Sequence, residues 1–578
     1  MKPTRSRHGL TGGRWLRLLP GLTLALIILP IAAGLAGTLL PSLGYLPQLG
    51  GRSLSVAPWR MLFSAPELPA ALLATLVSGL LATLLSLAAA VGIAATLHGT
   101  RFHHWLRRLL APLLAMPHAA LAIGFAFLIS PSGWLMRLAA PLAAPDGLPP
   151  DLPLVGDRLG LALAVALVLK ETPFLLLAIF AGLGQLPADA ALVAARMLGY
   201  RPATAWLKVV LPQLYRQLRL PIYAVLAFSL SVVDMALILG PSTPPALAPL
   251  LLRWFNDADL ASLFPAAAGA VLQILLVAAA IVVWRAGEVV VAIAGRRWLV
   301  DGRRGHFGRA GRWLGVGAAG LLLALAAGSM LALAFWSFAM RWRFPALLPQ
   351  DWTLANWSSP MLEIARPLGT SLALGLASTA IALLLTIGCL ENERRHGVRP
   401  KARVLWLLYL PLLTPQISFL FGTQALFAWL GIEASLPALV WSHLLFVLPY
   451  VFLLLADPYR ALDERYIRAG LCLGAGRGRV FGRLVLPMLL RPILVAAAVG
   501  FGVSVALYLP TLSVGAGRFE TLTTEAVARA SGGDRRLAGV FGFLQAALPF
   551  AGFTLALLAV RLAFRNRRGL MAGAVRMR

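Results

Sequence analysis

Long apolar stretches alternate with short polar islands along this chain, and the apolar stretches lack the period-2 alternation of half-buried strands. Most run about 20 residues or more, enough for a helix to cross a hydrocarbon core of ~30 Å. A bilayer offers backbone groups no water, so such stretches must be helices or a closed barrel, and the missing alternation selects helices. The pattern predicts twelve spans, near 16–40, 68–96, 106–131, 159–183, 215–239, 263–284, 312–339, 368–390, 404–430, 434–456, 490–512 and 537–562. The first follows a basic flank (Lys2, Arg5, Arg7, Arg14, Arg17), is too long for a signal-peptide core and precedes no small-residue cleavage site, so it reads as an uncleaved span. The expected fold class is an all-α integral membrane protein.

The polar islands carry a repeat. Gly79, Thr83 and Gly92 recur as Gly375, Thr379 and Gly388 at one offset, and Pro117 and Gly124 recur as Pro415 and Gly422. Asp189, Ala194, Gly199, Lys208 and Pro212 recur as Glu464, Ala469, Gly474, Arg483 and Pro487 at another, because the loop near 132–158 is longer than its counterpart. Six spans per unit is an even number, so the two halves share one orientation. They are expected at 1–300 (core 68–284) and 301–578 (core 366–562), joined by a basic linker near 296–312.

Composition agrees. Only 13% of the 578 residues are charged and 59% are hydrophobic, against about 25% charged in a soluble protein. A net charge of +29 would suggest nucleic acid in a soluble chain. Here roughly 38 of the 51 Lys and Arg fall on one side of the predicted topology, the bias of cytoplasmic loops, and no aromatic–basic interleaving points to nucleic acid. Arg101, Arg107, Arg108, the arginines at 296–309, and Arg394, Arg395, Arg399, Lys401 and Arg403 lie on that inner side. Asp146, Asp151, Asp257, Asp259 and Asp351 lie outside. Both cysteines, Cys389 and Cys472, fall at inner segments, and no disulfide is expected.

Candidate chemistry is sparse. None of the four lysines is followed by Ser or Thr, so no phosphate-binding P-loop is present. No nucleophile elbow, His-Glu-x-x-His or paired-cysteine metal site occurs, and no cofactor is expected. His103 and His104, beside Arg101, read as interfacial. Lys170 and Glu171 fall mid-span, and Asp234 precedes a Gly240-Pro241-Ser242 break; ionisable groups at that depth are functional candidates. Arg285 and Glu288 are expected at the inner interface in a structural role.

The repeated island itself is the most specific signal. Its copies read Val193-Ala194-Ala195-Arg196-Met197-Leu198-Gly199, then Leu211-Pro212, and Arg468-Ala469-Gly470-Leu471-Cys472-Leu473-Gly474, then Leu486-Pro487. Each predicts a short surface helix with an acid near its start, at Asp189 or Glu464, and a glycine ending it. Small residues on it would let a partner approach closely. The pattern resembles the EAA loop in permease subunits of binding-protein-dependent ABC importers, and the whole chain is similar to fused permeases such as those of the thiamine and ferric-iron importer families. The resemblance implies a type I permease fold in which spans one and seven are additions. It implies docking of Ala194, Ala195, Gly199, Ala469, Gly470 and Gly474 on two copies of a separate ATPase, and a solute pathway past Asp234. It also implies a periplasmic substrate-binding protein as second partner, and a bacterial inner-membrane location with both termini cytoplasmic. The chain departs from the motif where Val193 and Arg468 replace its leading Glu and Gly470 its second Ala. A gradient-driven twelve-span transporter, also built of parallel halves, is the alternative.

Overall fold

In the computed structural model the described residues are 11–143, 146–305, 309–398, 400–401, 404, 407–563 and 565. The basic flank before residue 11, Arg399, Arg403 and the arginines beyond 565 lie outside them. The first half comprises α1 (Thr11–Ser42), α2 (Leu68–Leu97), α3 (Arg101–Ala115), α4 (His118–Ile129) and α5 (Leu161–Leu183). It continues with α6 (Ala188–Met197), α7 (Leu211–Ser231), α8 (Asp234–Leu239), α9 (Leu247–Phe255) and α10 (Leu263–Val300). The second half repeats these in order. They are α11 (Arg309–Phe338), α12 (Met361–His396), α13 (Leu410–Leu413), α14 (Ile417–Trp429), α15 (Leu436–Arg460), α16 (Glu464–Cys472), α17 (Leu490–Ala506), α18 (Leu509–Gly515), α19 (Leu522–Ser531) and α20 (Arg535–Ala563). Among the described residues the only sheet is a two-stranded one joining 339–341 and 351–352.

Nine helices among the described residues are long and apolar enough to cross a membrane, ten if one pair bent by 70° counts as a span. Four predicted spans are broken, at equivalent places, and three of them are not among the nine; the fourth, 106–131, still counts because the helix after its break runs on to Pro141. Span 106–131 breaks at Met116-Pro117, and span 404–430 at Thr414-Pro415. Proline lacks the N–H for the ladder and pushes its predecessor to extended backbone, and Met116 (ψ 124°) and Thr414 (ψ 128°) are both extended. Spans 215–239 and 490–512 break at Val232-Val233 and Leu507-Tyr508, with Val232 (ψ 136°) and Leu507 (ψ 117°) extended in turn. Helix α10 runs further than expected, to Val300, so it takes in the start of the linker.

The halves interlock. Helix α1 packs against α14 of the second half, and α11 packs against α4 of the first. At each crossing the close approach falls on one of the repeated glycines: a Cβ on Gly422 would collide with the Gly34 backbone, and one on Gly124 with the Ser329 backbone. Within each half the repeat extends to single hydrogen bonds. The Leu247 N–H donates to Thr75 Oγ1 (2.9 Å), and at the equivalent place the Leu522 N–H donates to Ser371 Oγ (2.9 Å). A π-helical turn opens α7 at Trp206–Val210 and precedes α17 at Phe481–Val485.

Candidate functional site

Helices α6 and α16 end alike. After Met197 the Leu198 N–H donates to the Ala194 carbonyl (3.2 Å), that of Gly199 to Arg196 (2.9 Å) and that of Tyr200 to Ala195 (3.1 Å). After Cys472 the same three bonds run from Leu473 to Ala469 (3.0 Å), Gly474 to Leu471 (3.0 Å) and Ala475 to Gly470 (3.2 Å). This is a Schellman cap, whose geometry puts the residue after the cap in the left-handed region. Gly199 (φ +84°) and Gly474 (φ +81°) occupy it, which accounts for glycine at both positions. Ala194 and Ala469 are exposed. Ala195 is buried and Gly470 half-buried; a Cβ on Gly470 would press on Leu484 and Val480 of its own loop. The second small residue of each motif thus packs the loop itself, and the outward face belongs to larger side chains. Those include Val193, Arg196 and Met197 on α6 and Leu198 at its cap, with Met197 84% exposed, and Arg468, Leu471 and Cys472 at the equivalent places on α16 and Leu473 at its cap, with Leu473 86% exposed.

The two loops are held differently. Asp189 pairs with His98 at the end of α2 (3.1 Å). The linker then closes over the loop after α6. Lys208, buried, donates to Asp301 (2.5 Å), which holds the Asp301 carboxyl below its ordinary range. The Lys208 ammonium also lies 5.0 Å from the Trp298 ring centre and 5.5 Å from that of Tyr200. The Arg201 N–H donates to the Arg304 carbonyl (3.1 Å). At the equivalent of Lys208, Arg483 is exposed and pairs with no carboxylate among the described residues. The second half is instead tied beneath its loop. Glu391 accepts from Arg394 (2.7 Å), Arg395 (2.5 Å) and Tyr459 (2.6 Å), and Glu393 pairs with Arg460 (2.9 Å).

In the membrane core, three sequence candidates converge at the helix breaks. Lys170 of α5 donates to the carbonyls of Leu114 (3.1 Å) and Met116 (2.5 Å), groups freed where α3 stops. Glu171 and Asp234 both lie close enough to feel its charge. Asp234 is buried and opens α8, its carboxylate turned back on the N–H groups of Met235 and its own residue. Sequence reasoning missed the second half's share. Tyr508, at the other break, stands within electrostatic range of Asp234, and Tyr450 of Glu171. Tyr508 sits where the repeat places Val233 in the first half, and that substitution is the signal that was available. The second half also buries a hydrogen-bonded network, His443 with Ser504 (2.8 Å) and Thr511 (3.0 Å). Among the described residues no cluster of His, Cys, Asp and Glu could hold a metal ion, and Cys389 and Cys472 are free thiols.

Comparison with known proteins places this architecture. The family described as binding-protein-dependent transport system inner membrane component matches residues 385–569, which include α16 and the breaks around it. The chain is 34% identical over 523 residues to the inner membrane ABC transporter permease protein YnjC of Escherichia coli, covering 90% of this chain and 93% of that protein. Over 118 residues it is 27% identical to the spermidine/putrescine transport system permease protein PotC of Escherichia coli, covering 20% of this chain and 45% of that protein. The protein of the same name from Haemophilus influenzae is 27% identical over 110 residues, covering 19% and 43%. The match to YnjC runs across both halves and sets aside the gradient-driven transporter. With an all-α, multi-pass membrane fold and two permease halves on one polypeptide, the chain belongs to the inner-membrane permeases of binding-protein-dependent ABC importers, transport subunits that work with an ATPase and a substrate-binding protein.

Proposed function

We propose that α6 and α16 are the docking helices for two copies of an ATP-binding-cassette ATPase, that both termini are cytoplasmic, and that a periplasmic binding protein delivers solute to the opposite face. The observation that carries this reading is the duplicated Schellman-capped surface helix, with exposed apolar residues beside its glycine in both copies. A docking surface must be rigid and must offer something to bury; the cap supplies the first and Met197, Leu198 and Leu473 the second. The missing P-loop puts hydrolysis on the partner.

Between the halves, residues 1–300 and 301–578, Asp234 lies on the solute path together with Lys170, Glu171, Tyr450 and Tyr508. Interrupted helices at membrane depth, tolerated only where protein or a water-filled cavity covers the freed backbone, support this placement. Co-expression with its ATPase tests the docking. The complex should copurify and hydrolyse ATP, and the isolated chain should not. Hydrolysis by the chain free of contaminating ATPase, or a complex that survives charge-reversing substitutions on both surface helices, would overturn the reading.

A further inference from the structure

A groove of about 470 Å³ opens on the first half between α7 and α10. Arg216, Arg219 and Arg285 form its polar end, and Leu220, Ile281 and Val282 its apolar wall. Glu288 is the one carboxylate paired with these arginines among the described residues. Its Oε2 lies 3.1 Å from Arg219 Nε and 2.5 Å from Arg285. Its Oε1 accepts from the hydroxyls of Tyr215 (3.1 Å) and Tyr223 (3.0 Å). Both oxygens are therefore occupied, and three guanidiniums face one acid. Arg216 is exposed and pairs with no carboxylate among the described residues, while Arg219 Nε is buried yet out of line for a hydrogen bond.

The groove's depth can be read from the helices. Arg285 stands 285 − 263 = 22 residues from the far end of α10, about 33 Å at 1.5 Å per residue, roughly one hydrocarbon thickness. Helix α7 enters the membrane from the α6 loop on the same side. The polar end therefore lies at the bilayer boundary on the α6 side, and the flanking Val282 and Val283, 66% and 70% exposed, face the hydrocarbon.

We propose that this groove binds an anionic phospholipid, its phosphate held by Arg216, Arg219 and Arg285 and an acyl chain lying along Leu220, Ile281 and Val282. Basic pockets between helices at that level suit such headgroups, and a groove walled by lipid-facing valines is filled from the bilayer. Naming the leaflet as the inner one rests on the proposed cytoplasmic placement of α6. Among the described residues the second half does not repeat the site. Aligned on the 275-residue offset of α7 with α17, Arg216 recurs as Arg491 but Arg219 becomes Leu494; aligned on Gln273 and Gln545, Arg285 becomes Leu557 and Glu288 becomes Val560. The lipid would sit between the helix that leaves the first surface loop and the helix whose end carries the Asp301 brace.

Native mass spectrometry of the purified full-length chain with phosphatidylglycerol, phosphatidylethanolamine or inorganic phosphate tests this. The parent should retain phosphatidylglycerol in preference to phosphatidylethanolamine. Arg216→Gln should weaken that retention roughly fivefold, and Arg216→Gln with Arg285→Gln should abolish the preference. Arg491→Gln should leave it unchanged, which separates the site from general charge. Equal retention of both lipids by the parent, or full preference in a double variant that melts like the parent, would refute the site. Displacement of phosphatidylglycerol by inorganic phosphate would refute it too and assign a soluble anion. Labelling of Cys472 on α16 from outside intact cells would overturn the cytoplasmic placement of the repeated surface helices and leave the lipid preference standing.

Discussion

The two surface helices are one device in two settings. Their caps agree bond for bond across the repeat, and both glycines sit near φ +80°. Around the caps almost everything differs. The loop after α6 is clamped by Asp301 and Arg304 of the linker through Lys208 and Arg201, whereas Arg483 is exposed. The outward face of α6 carries Arg196 where α16 has Leu471, and α16 carries Arg468 where α6 has Val193. The membrane core divides in the same way. Lys170, Glu171 and Asp234 all come from the first half, and Leu509 stands at the repeat position of Asp234. What is shared is what backbone geometry demands; what differs answers to neighbours that only one half has.

The largest expected effect attacks the shared part. Gly199→Val and Gly474→Val each place a β-branched residue at positive φ, at a cost on the order of 1–3 kcal/mol, and unwind the cap. Coupled ATP hydrolysis in the reconstituted complex should fall at least about tenfold, while membrane levels of the chain stay near normal. Should both variants transport like the parent, neither helix is a coupling element. Next comes the asymmetry of the core. Asp234→Asn should reduce transport by roughly an order of magnitude with the ATPase still bound, and the volume-conserving Leu509→Met at its buried repeat position should change it little. Equal losses at the two sites would erase the distinction between halves.

The brace gives a smaller, local difference. Lys208→Ala removes a buried, charged hydrogen-bond donor, an interaction of about 1.5–3 kcal/mol. Arg483→Ala removes an exposed side chain, within about 0.5 kcal/mol of neutral. Hydrogen exchange across 198–208 should therefore quicken roughly tenfold in the first variant, with no matching change across 473–483 in the second. The smallest effect needs no substitution. Cys472 is exposed on α16, whereas Cys389 is partly buried against Thr23 (3.3 Å). A membrane-impermeant maleimide should label Cys472 in inverted vesicles, leave Cys389 largely unmodified, and be excluded by the bound ATPase. Labelling unaffected by the ATPase would remove α16 from the docking surface.

Much of this molecule is written along one dimension. Apolar run length placed the membrane helices, because a bilayer forces each segment to satisfy its own backbone. The repeat with its constant offsets revealed the two halves, and the glycine ending each motif was legible because only a left-handed cap needs one there. Other features were not legible. The break at Val232-Val233 carries no proline or glycine to mark it, and at Leu507-Tyr508 the one local signal is Pro510 in the first turn of the next helix. The repeated Gly124 and Gly422 were visible, but not that each receives a helix from the opposite half. Lys170 could be found by its depth, but its partners are main-chain carbonyls 54 and 56 residues away. Helices and caps are local or one-dimensional consequences of hydrophobicity and backbone geometry, so the sequence by itself determined them. Which helix crosses which, where Lys208 finds Asp301, and how three arginines come to share a groove are contacts between distant segments, and packing in three dimensions alone decided those.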